Sequence, residues 1–134
     1  KMIRTSCVRF SEYTEKDAGA RVMIIDNIGL LSSAYRYAHI AAVGGGFGKG
    51  IHNILEPACW GIPVLFGPAH TKFREATELV RLGGAFPFTG YKSFEDITDR
   101  LTADDQAYGA AAETAAKFIF ENTGATRKIM QGIT

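Results

Sequence analysis

The sequence predicts an α/β fold in which a parallel sheet is covered by helices on both faces. Three observations carry that prediction. Short continuous apolar runs recur, VMII at 22–25, IAAV at 40–43 and IPVLF at 62–66, the signature of strands buried on both sides. Between them lie stretches whose apolar residues return at helical spacing. Strand-like and helix-like stretches alternate along the chain, the order expected of parallel strands joined by crossover helices.

The elements follow in order. CVRF (7–10) can form a short strand, and SEYTEKDAGA after it is polar and turn-like. RVMIID (21–26) reads as a buried parallel strand closed by Asp26. In NIGLLSSAYRYAH, Leu31, Ala34, Tyr35 and Ala38 share one helical face, which predicts a helix over 30–38. IAAVGG (40–45) is a second buried strand, broken by its glycines. Residues 54–60 suit a short helix stopped by Gly61, and IPVLFG (62–67) a third strand. KFREATELVRLG places Phe73, Ala76, Leu79 and Val80 on one face, with Gly83 as the C-cap. GAFPF (84–88) is a fourth strand and SFEDITDRL a short amphipathic helix. A long helix over 102–124 takes Thr102 as N-cap, Asp104 and Asp105 in its first turn and Gly124 as C-cap. ATRKIMQGI (125–133) reads as a last helix. The chain opens on KMIRTSCVRFSEYT without a capped first element, as either a start inside a larger protein or an ordinary frayed terminus would give.

Composition narrows the function. At 134 residues the chain suffices for one domain with a real core, and 46% apolar with 22% charged residues suits a globular fold. A net charge of +1 gives no electrostatic case for nucleic acid or an anionic membrane, and no basic patch interleaves with aromatics. No apolar run approaches the roughly 20 residues of a membrane span, and Lys1 and Met2 are followed by no apolar signal region. Cys7 and Cys59 lie far apart and form no metal or redox motif, so a reduced, cytoplasmic setting is the default.

In such folds ligands sit beyond the carboxyl ends of the strands. The richest of those loops is GGGFGKGIHNILEP (44–57), with five glycines in seven positions. Glycines let the backbone turn and approach a ligand closely, and a following helix offers free N–H groups to an anion. Lys49 adds a positive charge. The arrangement is neither a Walker A motif nor a dinucleotide fingerprint, so anion binding and a mobile surface loop both stay open. His52 and Glu56 are four apart, but a third metal ligand is missing, and His39 and His70 have no ligand-like spacing. Asn53 and Glu56 fit a capping box, or Glu56 takes hydroxyl donors from a sugar at the helix mouth. Pro57 favours the second, because it suits a helix that starts two or three residues after Asn53. Asp26 caps the next helix or shapes the ligand edge, together with the turn at Asn27, Ile28 and Gly29. Arg74 and Glu75 are plain helix surface or reach across a cleft. Tyr35, Tyr37 and Trp60 suit packing better than stacking on a base.

The blocks IIDNIGLLSSAYRYAHIAAVGGGFGKGIHNILEPACWGIPVLFGP, KFREATEL and FENTGA resemble, in that order, the 3-deoxy-D-manno-octulosonic acid (Kdo) transferases of lipopolysaccharide synthesis. The resemblance runs from about Val22 to Ile133. Related two-domain glycosyltransferases share Gly61-Ile62-Pro63-Val64 but lack HNxLEP together with GP-x4-FRE. The resemblance implies the GT-B fold, two Rossmann-like domains facing a cleft. Residues 1–134 would be a partial C-terminal Rossmann-like, nucleotide-sugar-binding domain, without the N-terminal domain that carries the acceptor surface and the catalytic base. The implied donor is CMP-Kdo and the acceptor a lipid A precursor. Transfer would be inverting and need no metal or other cofactor, at the cytoplasmic face of the bacterial inner membrane. The chain alone would be soluble and inactive, and no nucleic acid would be a partner.

Residue by residue, Gly44, Gly45 and Gly46 match the family's glycines, and His52 and Asn53 its pair at the phosphate. Glu56 matches the glutamate for the ribose of CMP, Asp26 and Gly29 the turn beside the nucleotide, and Phe73, Arg74 and Glu75 the later FRE. Lys49 joins them as a charge near phosphate. The family's GGHNPLEP stands here as GIHNILEP. A branched residue at Ile51 disfavours positive φ there, so the loop is expected to differ locally or to lean on Lys49. Two alternatives remain: another GT-B enzyme using a UDP- or GDP-sugar, and a noncatalytic nucleotide-sugar-binding domain.

Overall fold

The computed structural model describes residues 5–123. Gly124 as a C-cap and the last helix over 125–133 lie outside the described residues. The chain divides into two compact units, residues 1–34 and 35–134.

The first unit holds β1 (Cys7–Arg9) and β2 (Val22–Ile24), paired in parallel with Cys7 opposite Val22 and Arg9 opposite Ile24. The polar connection forms two 3-10 turns. In the second, at Glu15–Asp17, the Asp17 carboxylate accepts from the Thr14 N–H (2.9 Å) and hydroxyl (2.7 Å). The strand expected to be buried is not: Met23 and Ile24, neighbours whose side chains point to opposite faces, are each 46% exposed. A two-stranded ribbon is too small to cover both of its own faces, whatever its sequence. The helix expected over 30–38 is shorter, with α1 at Leu31–Ala34.

The second unit opens on the rest of that stretch, a 3-10 turn at Tyr35–Tyr37. It then builds a parallel sheet in the order β3 (Ala41–Ala42), β4 (Val64–Phe66), β5 (Ala85–Pro87). The sheet's centre is β4, with every residue fully buried. Its alternating side chains divide the core. Val64 and Phe66 join Val43, Ile54, Ala58, Ala76, Leu79, Ala85, Ala115 and Phe118. Of these, Ala58 comes from α2 (Leu55–Ala58), Ala76 and Leu79 from α3 (Arg74–Leu82), and Ala115 and Phe118 from the later turns of α5 (Asp105–Asn122). Leu65 points the other way, to Leu101 and Ala111 with Phe86, Phe94 and Ile97, which belong largely to α4 (Tyr91–Ala103). Helices therefore lie on both faces of this sheet, as the continuous apolar runs predict.

Two caps decide the helix ends. Gly83 closes α3 with φ 89°, its N–H donating to Leu79 and Val80 carbonyls, as expected. The α5 N-cap is Asp104, not Thr102: its Oδ1 accepts from the Gln106 and Ala107 N–H groups at 3.0 Å each. Thr102 belongs to α4, where its hydroxyl donates to the carbonyls of Thr98 (2.8 Å) and Asp99 (3.1 Å). No helix of the described residues is long and apolar enough to cross a membrane.

Candidate functional site

Because β3, β4 and β5 run parallel, the segments leaving their carboxyl ends meet along one edge. The glycine segment leaves β3 there. Backbone pairing closes this loop on itself. Gly45 and Ile51 form an antiparallel bridge, the Gly46 N–H donates to the Gly50 carbonyl (2.6 Å), and the His52 N–H donates to the Gly44 carbonyl (3.0 Å). Gly45, Gly46 and Gly50 supply the positive φ angles of this turn (89°, 82° and 148°). Ile51 needs none: among the described residues only glycines have positive φ, and Ile51 packs instead against the core. The last of these positive φ angles falls on Gly50, one residue before Ile51.

The His52 ring lies against Gly44, where an added Cβ would stand 3.1 Å from its Nδ1. Asn53 and Glu56 do pair, but not as a capping box. Asn53 Oδ1 accepts from the Leu55 N–H (3.0 Å), and Asn53 Nδ2 donates to Glu56 Oε1 (2.8 Å). The helix starts at Leu55, two residues after Asn53 as Pro57 suggests, which puts Pro57 at its third position, where no N–H is required. α2 is a single turn of four residues. Its aligned dipole is small, so any hold on an anion rests on individual N–H groups and side chains. Tyr35 stands near Glu56: burial first, and then the Glu56 charge, push its phenol above the ordinary value.

A cavity of about 280 Å³ opens beside this loop, lined by His52, Asn53, Ile54 and Ile51 on one wall and by Phe73 and Glu75 of α3 and its cap on the other. Arg74 is not brought there. It lines a second cavity of about 430 Å³ with Glu78, Phe118, Glu121 and Asn122. Lys49 sits exposed on the loop. Asp26 and Gly29 belong to the first unit. The Asp26 carboxylate caps no helix but accepts from the Ser11 hydroxyl (2.6 Å) and N–H (3.1 Å), bonds that hold it below the usual carboxylate range. Of the aromatics, Trp60 lies under the Arg36 guanidinium at 4.9 Å, and Tyr37 is largely exposed. Among the described residues no three of His, Cys, Asp and Glu come together as a metal-ligand set.

Sequence reasoning named Phe73 on a helical face and within the FRE block, without a place in the site, and missed Gly67 as part of it. Phe73 is one cavity wall and rests on Gly50. Gly67, after β4, meets Gly46 backbone to backbone. A glycine just past each of two neighbouring parallel strands is the signal that points to such a crossing.

This architecture, small parallel sheets flanked by helices, matches the Rossmann-like C-terminal domain of GT-B glycosyltransferases. The C-terminal CMP-Kdo binding domain of WaaA from Acinetobacter baumannii superimposes with a TM-score of 0.75, over 86% of this chain and 61% of that one, at 24% identity. In sequence the chain is a homologue of the 3-deoxy-D-manno-octulosonic acid transferases. It is 45% identical to that of Aquifex aeolicus over 65 residues, 48% of this chain and 18% of the relative. It is 44% identical to that of Chlamydia trachomatis over 99 residues (72% and 23%), and 28% identical to that of Bordetella pertussis over 114 residues (84% and 27%). The chain thus spans about a quarter or less of the length of these curated relatives. No family model matches the chain.

Proposed function

We propose that this chain is the donor-binding part of a Kdo transferase, holding the CMP of CMP-Kdo while a carboxylate of another domain deprotonates an acceptor hydroxyl on a lipid A precursor. The hydroxyl oxygen then attacks the anomeric carbon, the bond to the CMP phosphate breaks, and configuration inverts without a metal. This domain's part is electrostatic: fixed N–H groups and positive charge stabilise the departing phosphate. The glycine loop with His52 and Asn53 takes the phosphate, Lys49 adds charge, and Glu56 accepts ribose hydroxyls through the carboxylate oxygen that Asn53 leaves unengaged. Arg74, turned to the other cavity, is left out of this set. The full-length enzyme would work at the cytoplasmic face of the inner membrane.

The observation that carries this reading is the high identity to Kdo transferases over short stretches, 45% over 65 residues and 48% over 48. Calorimetric titration with CMP, UDP and GDP tests it. We expect CMP to bind tightest, and Glu56→Ala to weaken it by about tenfold or more, the worth of a hydrogen bond to a charged group. A preference for UDP or GDP would point to another GT-B donor. Unchanged CMP affinity in Glu56→Ala would remove the ribose assignment.

A further inference from the structure

We infer that Gly67 is a positioning residue for the donor site, the bare seat on which the glycine loop is pinned; the inference rests on the nucleotide-binding reading above. Gly46 and Gly67 are both buried, and they meet with no side chain between them. A Cβ added at Gly46 would stand 2.6 Å from Gly67 Cα, and one added at Gly67 would stand 2.5 Å from the Gly46 carbonyl carbon. Both neighbours are backbone, which cannot swing aside. Two hydrogen bonds fasten the crossing: the Gly67 N–H donates to the Gly45 carbonyl (3.3 Å) and the Ala69 N–H to the Gly46 carbonyl (2.8 Å). A second pin lies four residues on, where a Cβ at Gly50 would fall 2.8 Å from the Phe73 ring.

The two pins fall on either side of the exposed tip at Phe47, Gly48 and Lys49, and they join the glycine loop to the segment that leads into α3. Those are the two walls of the 280 Å³ cavity. The separation of His52 and Asn53 from Phe73 and Glu75 is therefore set by backbone contact at Gly67, a residue that does not itself line the cavity. Gly67 has no positive φ, so alanine there is conformationally allowed and tests space alone. Gly109 of α5 gives a control outside the loop, because a Cβ there meets nothing within 4 Å.

The test combines amide hydrogen exchange, the NMR shift of the His52 ring and CMP titration on the 134-residue chain. In the wild type, the Ala69 amide should exchange at least about tenfold more slowly than those of Gly48 and Lys49; equal rates overturn the pin, and this comparison decides the matter if Gly67→Ala does not fold. In Gly67→Ala, overpacking should speed exchange at Ala69 and His52 by about tenfold, shift the His52 ring and weaken CMP by about tenfold. Val43, whose N–H bonds to Leu65 in the sheet, should keep its protection. Gly109→Ala should change none of these. A folded Gly67→Ala that binds CMP like the wild type overturns the positioning role. Absence of CMP binding by the wild type sinks the nucleotide reading and the donor role of Gly67 together, while the pinned loop still stands or falls on exchange alone.

Discussion

Asp26 shows how one residue reads differently alone and in its surroundings. At the end of an apolar run, before an Asn-Ile-Gly turn, it looks like a helix cap or a ligand-edge carboxylate. In the fold it ties the end of β2 to the turn after β1 by accepting two hydrogen bonds from Ser11. A partner 15 residues away leaves no mark in the local pattern. These bonds favour the ionised form and lower its pKa. The sign of the linkage follows: with the folded value below the unfolded one, the stabilisation is fully present above the ordinary carboxylate range and is lost as pH falls through the lowered folded value. Ser11→Ala should bring the Asp26 titration back up toward the ordinary carboxylate value, as followed by the NMR shift of its carboxyl carbon. A titration that does not move would mean that Ser11 does not hold the charge. Glu56 is a contrasting case. Its pairing with Asn53 was legible three residues away, but the way the two pair was not, because the side chains bond to each other rather than to the backbone ends of a box.

At the scale of elements, the sequence located the strands and helices of the second unit well and their ends less well. Interiors are marked by apolar periodicity, which the buried face requires. Ends are chosen among competing hydroxyls and carboxylates, and in Thr102-Ala103-Asp104-Asp105 three such groups stand within four residues. The choice falls to Asp104 because α4 continues through Ala103 and engages the Thr102 hydroxyl with its own carbonyls. Asp104 is left with extended backbone, φ −125° and ψ 99°, and faces the open amides of α5. Asp104→Ala should therefore destabilise the protein by about 1 kcal/mol in urea unfolding. Thr102→Ala should lie within about 0.5 kcal/mol of the wild type, as for an exposed position outside any cap. The reverse order of effects would restore Thr102 as the cap.

For the molecule as a whole, the parallel sheet and its helices were legible because β4, buried on both faces, writes its environment into an unbroken apolar run. The exposure of Met23 and Ile24 was not legible, since an apolar run reports what a strand is suited to and not how many strands join it. The glycine loop falls between these cases. Its five glycines announced a special backbone, while the reason for two of them, contact with Gly67 and Phe73, lies in segments distant in sequence. The same scale governs activity. In the proposed mechanism this chain contributes the phosphate and ribose contacts, and the proton is taken by a carboxylate elsewhere. Ground-state binding and the chemical step are then separable, and only contacts that strengthen in the transition state raise the rate. The 134-residue chain, given CMP-Kdo and a lipid A precursor, should bind CMP yet release none beyond the uncatalysed rate, with mass spectrometry finding no Kdo-bearing acceptor. Transfer by this chain alone would place the general base among its own residues, with Glu75 of the cavity wall and Glu56, bonded to Asn53, the first to be changed to glutamine.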